Sequence, residues 1–418
     1  MKVLILSNSD KIGGAAIAAY RLHRALVESN IDSRMMVRIK QSDDYTVIRP
    51  QGKLQKTIDK FRSPVGNIIN KLAQTDNSGF YSGNWLPSTW SKTINQMDVD
   101  IVHIHWVGGE TLSIEDLGKI NKPIIWTFHD MWPFCGLEHY APDDPESRWV
   151  KGYNRKKIID LDRIVWRRKK RSWSSKIAII SPSNWLSKCI AKSALLKNNP
   201  LHTLPNILDI SVFKPIEREF CRNILNLDKN KKIILFGAFG GSMDKRKGYD
   251  LLTAAVRKLT EKIPNIYDVQ CLIFGQSKPE KNIDLPVEVK WLGHIHDDTT
   301  LALIYNAANI MVVPSRQDNL PQTATEAQAC GCPVVAFNCT GFPDIISHRK
   351  TGYLADPFDS DDLATGIAWL LNNPDQESSL GENASSEARK KWSSVNLMPQ
   401  YLKLYQDTID KYSQVKII

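Results

Sequence analysis

Val312–Pro333 reads VVPSRQDNLPQTATEAQACGCP. The apolar run entering it, Ile310–Val313, suits a strand buried on both faces. A polar turn follows, then a short helix expected over Thr323–Cys330. Pro321 falls in its first turn, where the missing N–H is no loss. Amide donors at a helix start favour an anion such as a phosphate. Glu326, eight positions after Asp318, places a carboxylate further along the same helix, where it can accept hydrogen bonds from a polyol such as a ribose. One strand–turn–helix therefore offers to hold a phosphate and a sugar side by side.

Outward from this stretch, apolar β-branched runs alternate with helical stretches, the sign of parallel sheets with helices on both faces. In the first half the expected strands are Val3–Leu6, Arg34–Val37, Ile101–Ile104, Ile124–Phe128 and Ile177–Ile180, with a helix over Ala15–Glu28. In the second they are Ile233–Phe236, Gln270–Phe274, Val287–Trp291, Ile310–Val313 and Val334–Phe337. Helices are expected over Asp250–Lys262, Thr299–Ala307 and Asp361–Leu371. The prolines of LPNILDISVFKP (Leu204–Pro215) mark a linker. The domains expected are 1–207, 208–391 and a helical tail over 392–418.

At 418 residues the chain suits two domains, and a hydrophobic fraction of 42% is enough for full cores. No window approaches 18 uninterrupted apolar residues, so no transmembrane helix is expected. The start, MKVLILSNSD, reads as a core strand and not a signal peptide. Seven cysteines are scattered without a C-x-x-C pair, which reads as free thiols in a reducing cytoplasm. A net charge of +10 points to an anionic partner: nucleotide, phospholipid surface or nucleic acid.

Ligands of open parallel sheets sit beyond the carboxyl ends of the strands, so the strand-to-helix turns are where candidates belong. Gly13 and Gly14 open the first helix and let backbone approach a phosphate or sugar; a tight turn without a ligand is the other reading. There is no G-x-G-x-x-G there, which argues against a dinucleotide. His129 and Asp130, in TFHDMWPFCGLEHY (Thr127–Tyr140), emerge where a strand ends, with Trp132 close by. His103 and His105 alternate along another strand, and His105 lies nearer its end. In GAFGGSMDKRKGYDLL (Gly237–Leu252), Arg246 and Lys247 stand immediately before a helix. Cations oppose the helix dipole there, so a nucleotide's phosphates explain them better than solvation does. The D-x-D triplets (Asp98/Asp100, Asp160/Asp162, Asp359/Asp361) do not directly follow strands near these turns, and no metal is expected.

The Asp318-x7-Glu326 spacing resembles the signature of retaining family 4 glycosyltransferases of the GT-B fold. The resemblance runs from the Gly-Gly loop to the final helix and is most specific over 314–344. It implies two facing Rossmann-like parallel-sheet domains and a C-terminal helix crossing back to the first. The donor implied is a nucleoside diphosphate sugar, with no cofactor. By the same resemblance Glu326 binds the ribose, Asp318 and the amides of Asn319 and Leu320 hold the donor sugar, and Lys247 and Arg246 hold the diphosphate. Gly13 and Gly14 adjoin the phosphates, Gly275, His294 and Ile295 lodge the base, and His129 contacts the sugar near the reacting carbon. Two departures stand out. The first acid is Asp318 where the family usually has Glu, and the arginine expected on the strand end is replaced by Ala238–Phe239. The catalytic set implied is His129, Lys247 and Asp318, and His105, Asp130 and Trp132 are candidates for the acceptor side. HIHW, FHDMWPF and QDNLPQT look most like members that build bacterial surface polysaccharides, which implies a saccharide or lipid-linked acceptor.

Nine of the twelve tryptophans lie between Trp85 and Trp185, and both sugar stacking and ordinary packing account for them. From Arg148 to Arg171 there are eleven Lys/Arg against two Asp, with RRKKR (Arg167–Arg171) flanked by Trp166 and Trp173. That composition suits an anionic membrane surface, a nucleic acid or a solvated face. Leu54, Ile58, Phe61, Val65, Ile68 and Leu72 form an apolar stripe expected to pack onto the domain, interrupted by Pro64. The chain thus reads as a cytoplasmic hexosyltransferase, peripheral on the inner face of the membrane. The rivals are a GT-B epimerase or phosphorylase, which needs an acid pair or a cofactor-binding lysine that is not seen. A basic nucleic-acid-binding protein leaves Asp318, Glu326 and Lys247 without a use, so no nucleic-acid partner is expected.

Overall fold

The computed structural model describes residues 1–50, 53–71, 80–154, 159–173, 177–237, 240, 243–279 and 284–417, without the side chains of 53–60 and 415–417. The chain divides into two units, Met1–Ile207 with Leu397–Ile418, and Leu208–Asn396.

The first unit is built on seven parallel strands: β1 (Lys2–Ser9), β2 (Asp32–Ile39), β3 (Val47–Ile48), β4 (Ile101–Ile104), β5 (Ile124–Thr127), β6 (Ala178–Ser181) and β7 (Leu201–Thr203). They lie in the order β3-β2-β1-β4-β5-β6-β7. The second has six: β8 (Lys232–Gly237), β9 (Val269–Phe274), β10 (Glu288–Gly293), β11 (Ile310–Val313), β12 (Val334–Phe337) and β13 (Gly352–Ala355), in the order β10-β9-β8-β11-β12-β13. Strands such as β4, β9, β11 and β12 are buried along their whole length, which is why they read as continuous apolar runs. Three strands escape the sequence pattern. β3 has two residues, β7 is a largely exposed edge, and β13 begins with a glycine that the neighbouring strand requires. A Cβ at Gly352 would lie 2.2 Å from the Val334 carbonyl oxygen.

The winding direction reverses between β1 and β4 and again between β8 and β11. Those are the two points where turns diverge and leave room for a ligand.

Helix Ser394–Ile417 packs Leu397, Met398, Tyr401, Leu404 and Tyr405 into the core of the first unit, beside Val3, Ile5 and Leu22. The i, i+4, i+7 spacing gives it one apolar stripe. Helix Lys53–Lys71 continues through Pro64 and corrects the sequence reading. Phe61, Val65 and Ile68 are exposed, at 63%, 39% and 65%, while Arg62 is buried. Its guanidinium donates to the carbonyls of Glu110, Pro87 and Leu86, so the polar residue goes inward because backbone acceptors wait for it. The side chains of Leu54, Ile58 and Leu72 lie outside the described residues.

Tryptophan packing accounts for most of the first unit's aromatic content. Trp126, Trp132 and Trp173 meet edge to face with centroids 5.0 to 6.3 Å apart. Seven of the nine are buried, Trp85 and Trp106 being the half-buried exceptions. All seven cysteines are free thiols. No described helix is long and apolar enough to cross a membrane.

Candidate active site

At the β8/β11 switch point two turns are laced together. Gly248 has φ 71°, and a Cβ there would stand 1.9 Å from the Pro314 carbonyl oxygen. Only glycine allows this approach, and it brings the turn after β8 against the turn after β11. Arg316 N–H donates to the Arg246 carbonyl at 2.8 Å, and Arg246 Nη1 donates to the Gln317 carbonyl at 2.8 Å. Arg316 adds a two-pronged pair with Asp250, at 2.8 and 2.6 Å.

The result is an ion pair, Lys247 Nζ to Asp318 Oδ2 at 2.6 Å, with Arg246 Nη1 3.6 Å from the same oxygen. Burial alone would raise the Asp318 carboxyl, but Lys247 and Arg246 outweigh it and hold the group below the usual carboxylate range. Asp318 is positioned further by its backbone. Its N–H reaches Thr340 Oγ1 at 3.3 Å, and its carbonyl accepts from Gly341 N–H at 3.1 Å. Asn319 N–H lies 3.2 Å from Asp318 Oδ1, and Asn319 and Leu320 are buried.

The helix after this turn is Gln322–Ala329, with Pro321 at its N-cap, one residue earlier than expected at either end. Glu326 is 3% exposed on it, and Tyr305 Oη donates to Glu326 Oε2 at 2.8 Å. Tyr305 belongs to helix Asp298–Ala307 and escaped the sequence reading. Its one visible signal is a hydroxyl on a residue that otherwise keeps to the apolar pattern of its helix.

Gly275 and Gly293 both have positive φ, and Gly275 N–H donates to the Gly293 carbonyl at 2.7 Å, which ties the ends of β9 and β10. His294 is exposed and Ile295 half-buried just beyond. Ala238 and Phe239, which replace the expected arginine, lie outside the described residues.

In the first unit Gly13, with φ 87°, caps helix Gly14–Glu28, and nothing stands within 4 Å of a Cβ built on either glycine. At the ends of β4 and β5, His105 Nδ1 and His129 Nε2 share a hydrogen bond of 2.9 Å, their rings stacked. Burial pulls His129 down to about 4 and His105 well below the normal histidine range. Both rings are therefore neutral near pH 7 and one N–H is shared between them. His105 Nε2 is buried with no hydrogen-bond partner among the described residues. His103, beside it, is structural: it bonds Tyr405 Oη and Thr127 Oγ1, both at 2.7 Å.

Asp130 and Trp132 do not offer themselves to an acceptor. Asp130 accepts from His139 Nδ1 at 2.6 Å and from Trp106 Nε1 and Trp132 N–H, each at 3.0 Å. Trp132 is 3% exposed, with its Nε1 on the Ser82 carbonyl, His139 stacked on its ring and Lys169 Nζ 4.0 Å from the ring centroid. Their carboxylate and ring are spent on holding the loop after β5.

The D-x-D acids are engaged elsewhere. Asp98 and Asp100 bind Lys2, Asp160 and Asp359 cap helices, Asp162 accepts from Leu137 N–H, and Asp361 pairs with Lys262. No group of three or more metal-ligating side chains occurs among the described residues.

The Glycosyl transferases group 1 family model matches residues 217–387, and the Glycosyltransferase Family 4 model matches 12–212. The D-inositol 3-phosphate glycosyltransferase 2 of Catenulispora acidiphila is 25% identical over 313 residues, 71% of this chain and 68% of that protein. Two solved structures are similar. Sucrose-phosphate synthase from Thermosynechococcus elongatus has a TM-score of 0.64 at 20% identity, covering 98% of this chain and 100% of that one. Anabaena HepE, solved with UDP and glucose, has a TM-score of 0.65 at 16% identity, covering 97% and 100%. At such identities the structures speak for the fold.

Proposed function

This chain belongs to the family 4 glycosyltransferases of the GT-B fold, and we propose that it moves a hexose from a nucleoside diphosphate sugar to a saccharide acceptor, retaining the anomeric configuration without a metal. The observation that carries the donor reading is the Lys247–Asp318 pair, with Glu326 eight residues on. A sugar diphosphate satisfies both halves of that pair at once: phosphate oxygens take Lys247 and Arg246, and sugar hydroxyls take Asp318. The leaving diphosphate is stabilised by these cations and by the amides opening helix Gln322–Ala329, while the acceptor hydroxyl attacks from the same face. Glu326 receives the ribose hydroxyls, and the amides of Asn319 and Leu320 assist at the sugar. Gly275, His294 and Ile295 lodge the base, and from the first unit the family resemblance assigns Gly13 and Gly14 to the phosphates and His129 to the sugar. HepE's complex with UDP and glucose supports this donor class.

For the acceptor, the resemblance of the HIHW, FHDMWPF and QDNLPQT segments supports a lipid-linked saccharide in bacterial surface polysaccharide synthesis. Exposed Phe61, Val65 and Ile68 support peripheral attachment to the inner membrane face. A second acceptor reading, a phosphorylated polyol, is favoured by the name of the Catenulispora relative.

Thermal melts with UDP, GDP and their sugar conjugates test the donor reading, since a ligand of the native state raises the melting point. Absence of any shift at millimolar nucleotide overturns it. Product NMR with EDTA present then tests retention and metal independence, and offering both acceptor classes decides between them.

A further inference from the structure

Helix Leu161–Ser172 carries six basic residues, and they divide by helical face. Two go inward. Arg168 donates to the carbonyls of Gly83 and Asn84 and pairs with both oxygens of Glu115, each at 2.7 Å. Lys169, fully buried, donates to the carbonyls of Trp132, Cys135 and Gly136. The other four, Arg163, Arg167, Lys170 and Arg171, line a cavity of about 590 Å³ together with Lys151 and Trp166.

These cations lack the partners that the inward pair has. The guanidinium groups of Arg163, Arg167 and Arg171 make no hydrogen bond or ion pair among the described residues, and Lys170 has only the Trp166 ring, 5.4 Å away. The acids nearest in sequence are already used. Asp160 caps the helix and pairs with Arg148 at 2.5 Å, and Asp162 accepts from Leu137 N–H at 3.1 Å. Of these cations Lys151 alone reaches a carboxylate among the described residues, the exposed Glu146. Arg163, Arg167 and Arg171 also stand four residues apart on one stripe, where like charges disfavour the helix. A bound anion removes that repulsion.

We propose that this cavity binds a phosphate-bearing anion. Three guanidinium forks suit phosphate oxygens, which they engage two at a time. Trp166, largely buried, borders the cavity. Its Nε1 is a buried donor with no acceptor among the described residues. The source is either a free phosphorylated molecule or a lipid headgroup. The site belongs to the first unit and the Lys247 turn to the second, and it is tested by binding alone, so it does not rest on the glycosyl-transfer reading.

The experiment is calorimetric titration of the full chain with inorganic pyrophosphate, in an Arg246→Ala/Lys247→Ala background that removes both donor-side cations. Arg163→Ala/Arg167→Ala/Arg171→Ala should weaken pyrophosphate at least tenfold. The matched triple Lys188→Ala/Lys192→Ala/Lys197→Ala, which removes the same charge from other exposed positions of this unit, should change it less than twofold. If the alanine triple melts early, the glutamine triple at the same arginines keeps the packing stems. A second arm follows co-sedimentation with phosphatidylcholine vesicles with and without phosphatidylglycerol. Loss of pyrophosphate binding with vesicle binding intact assigns the site to a free phosphate, and loss of both assigns it to a headgroup as well. Equal weakening by the lysine triple, or none by the arginine triple, overturns the proposal.

Discussion

Gly248 shows how one residue controls the donor turn. Alanine there must hold φ 71° and push its Cβ into the Pro314 carbonyl, 1.9 Å away. Strain of this kind costs on the order of 1–3 kcal/mol. Gly248→Ala should therefore lower the urea midpoint and also weaken nucleotide binding, because Lys247 moves with the turn. Glu326→Ala should spare stability more than binding, since the ribose loses charged hydrogen bonds of roughly 1.5–3 kcal/mol each. Unchanged donor affinity in calorimetry would remove Glu326 from the ribose role. Most of these donor-side candidates were legible because they sit beside turn glycines and prolines at fixed spacing from a strand. Tyr305 was not: 21 residues before Glu326, on another helix, it joins the site only through the packing of two helices.

An element's periodicity decides what a run of like residues means. RRKKR reads along the chain as five equivalent charges on one surface, yet a helix turns each residue by about 100° from the last. Lys169 therefore points inward, Arg168 reaches Glu115, and Lys170 stays out. The membrane reading of all five is corrected to that extent, because carbonyls of the loop after β5 outcompete solvent for Lys169. Burial lowers the Lys169 ammonium, which is the cost set against those bonds. Lys169→Ala should destabilise the first unit by about 3 kcal/mol, since three carbonyls lose their donor and a cavity opens under Trp132. Lys170→Ala should change stability by less than about 0.5 kcal/mol, as surface substitutions do. Equal midpoints for the two variants in urea would show that the helix faces differ little in energy. The same reasoning explains the misread stripe on Lys53–Lys71. Apolar spacing located a helix, but which side faces the protein was set by carbonyl acceptors supplied from distant loops.

On the scale of the molecule, two parallel sheets were legible because doubly covered strands leave unbroken apolar runs, while short edge strands carry no such mark. What a linear reading does not price is polarity buried by the fold. His23 and His103 sit in the first unit's interior, bonded to Ser33 and Thr46 and to Tyr405 and Thr127. Burial lowers them to about 4 and about 3. An unfolded histidine protonates near pH 6.5, so below that value the unfolded chain holds more protons than the native one. Stability is thus full above about pH 6.5 and declines as pH falls toward 4. The slope is about 1.4 kcal/mol per pH unit for each histidine so held. Asp44, lowered to about 2 by hydrogen bonds that outweigh its burial, acts in a more acidic window. Its stabilisation is present above its unfolded value near 4 and is lost as pH falls toward 2. Nine of the twelve tryptophans lie in residues 85–185, so intrinsic fluorescence follows the first unit. Urea titrations at pH 6.5 and 4.5 should show a lower midpoint at the acid pH, and His103→Gln should remove about one proton's share of that slope. A pH-independent midpoint, or an unaltered slope in His103→Gln, would mean that the native interior accepts the imidazolium as readily as water does.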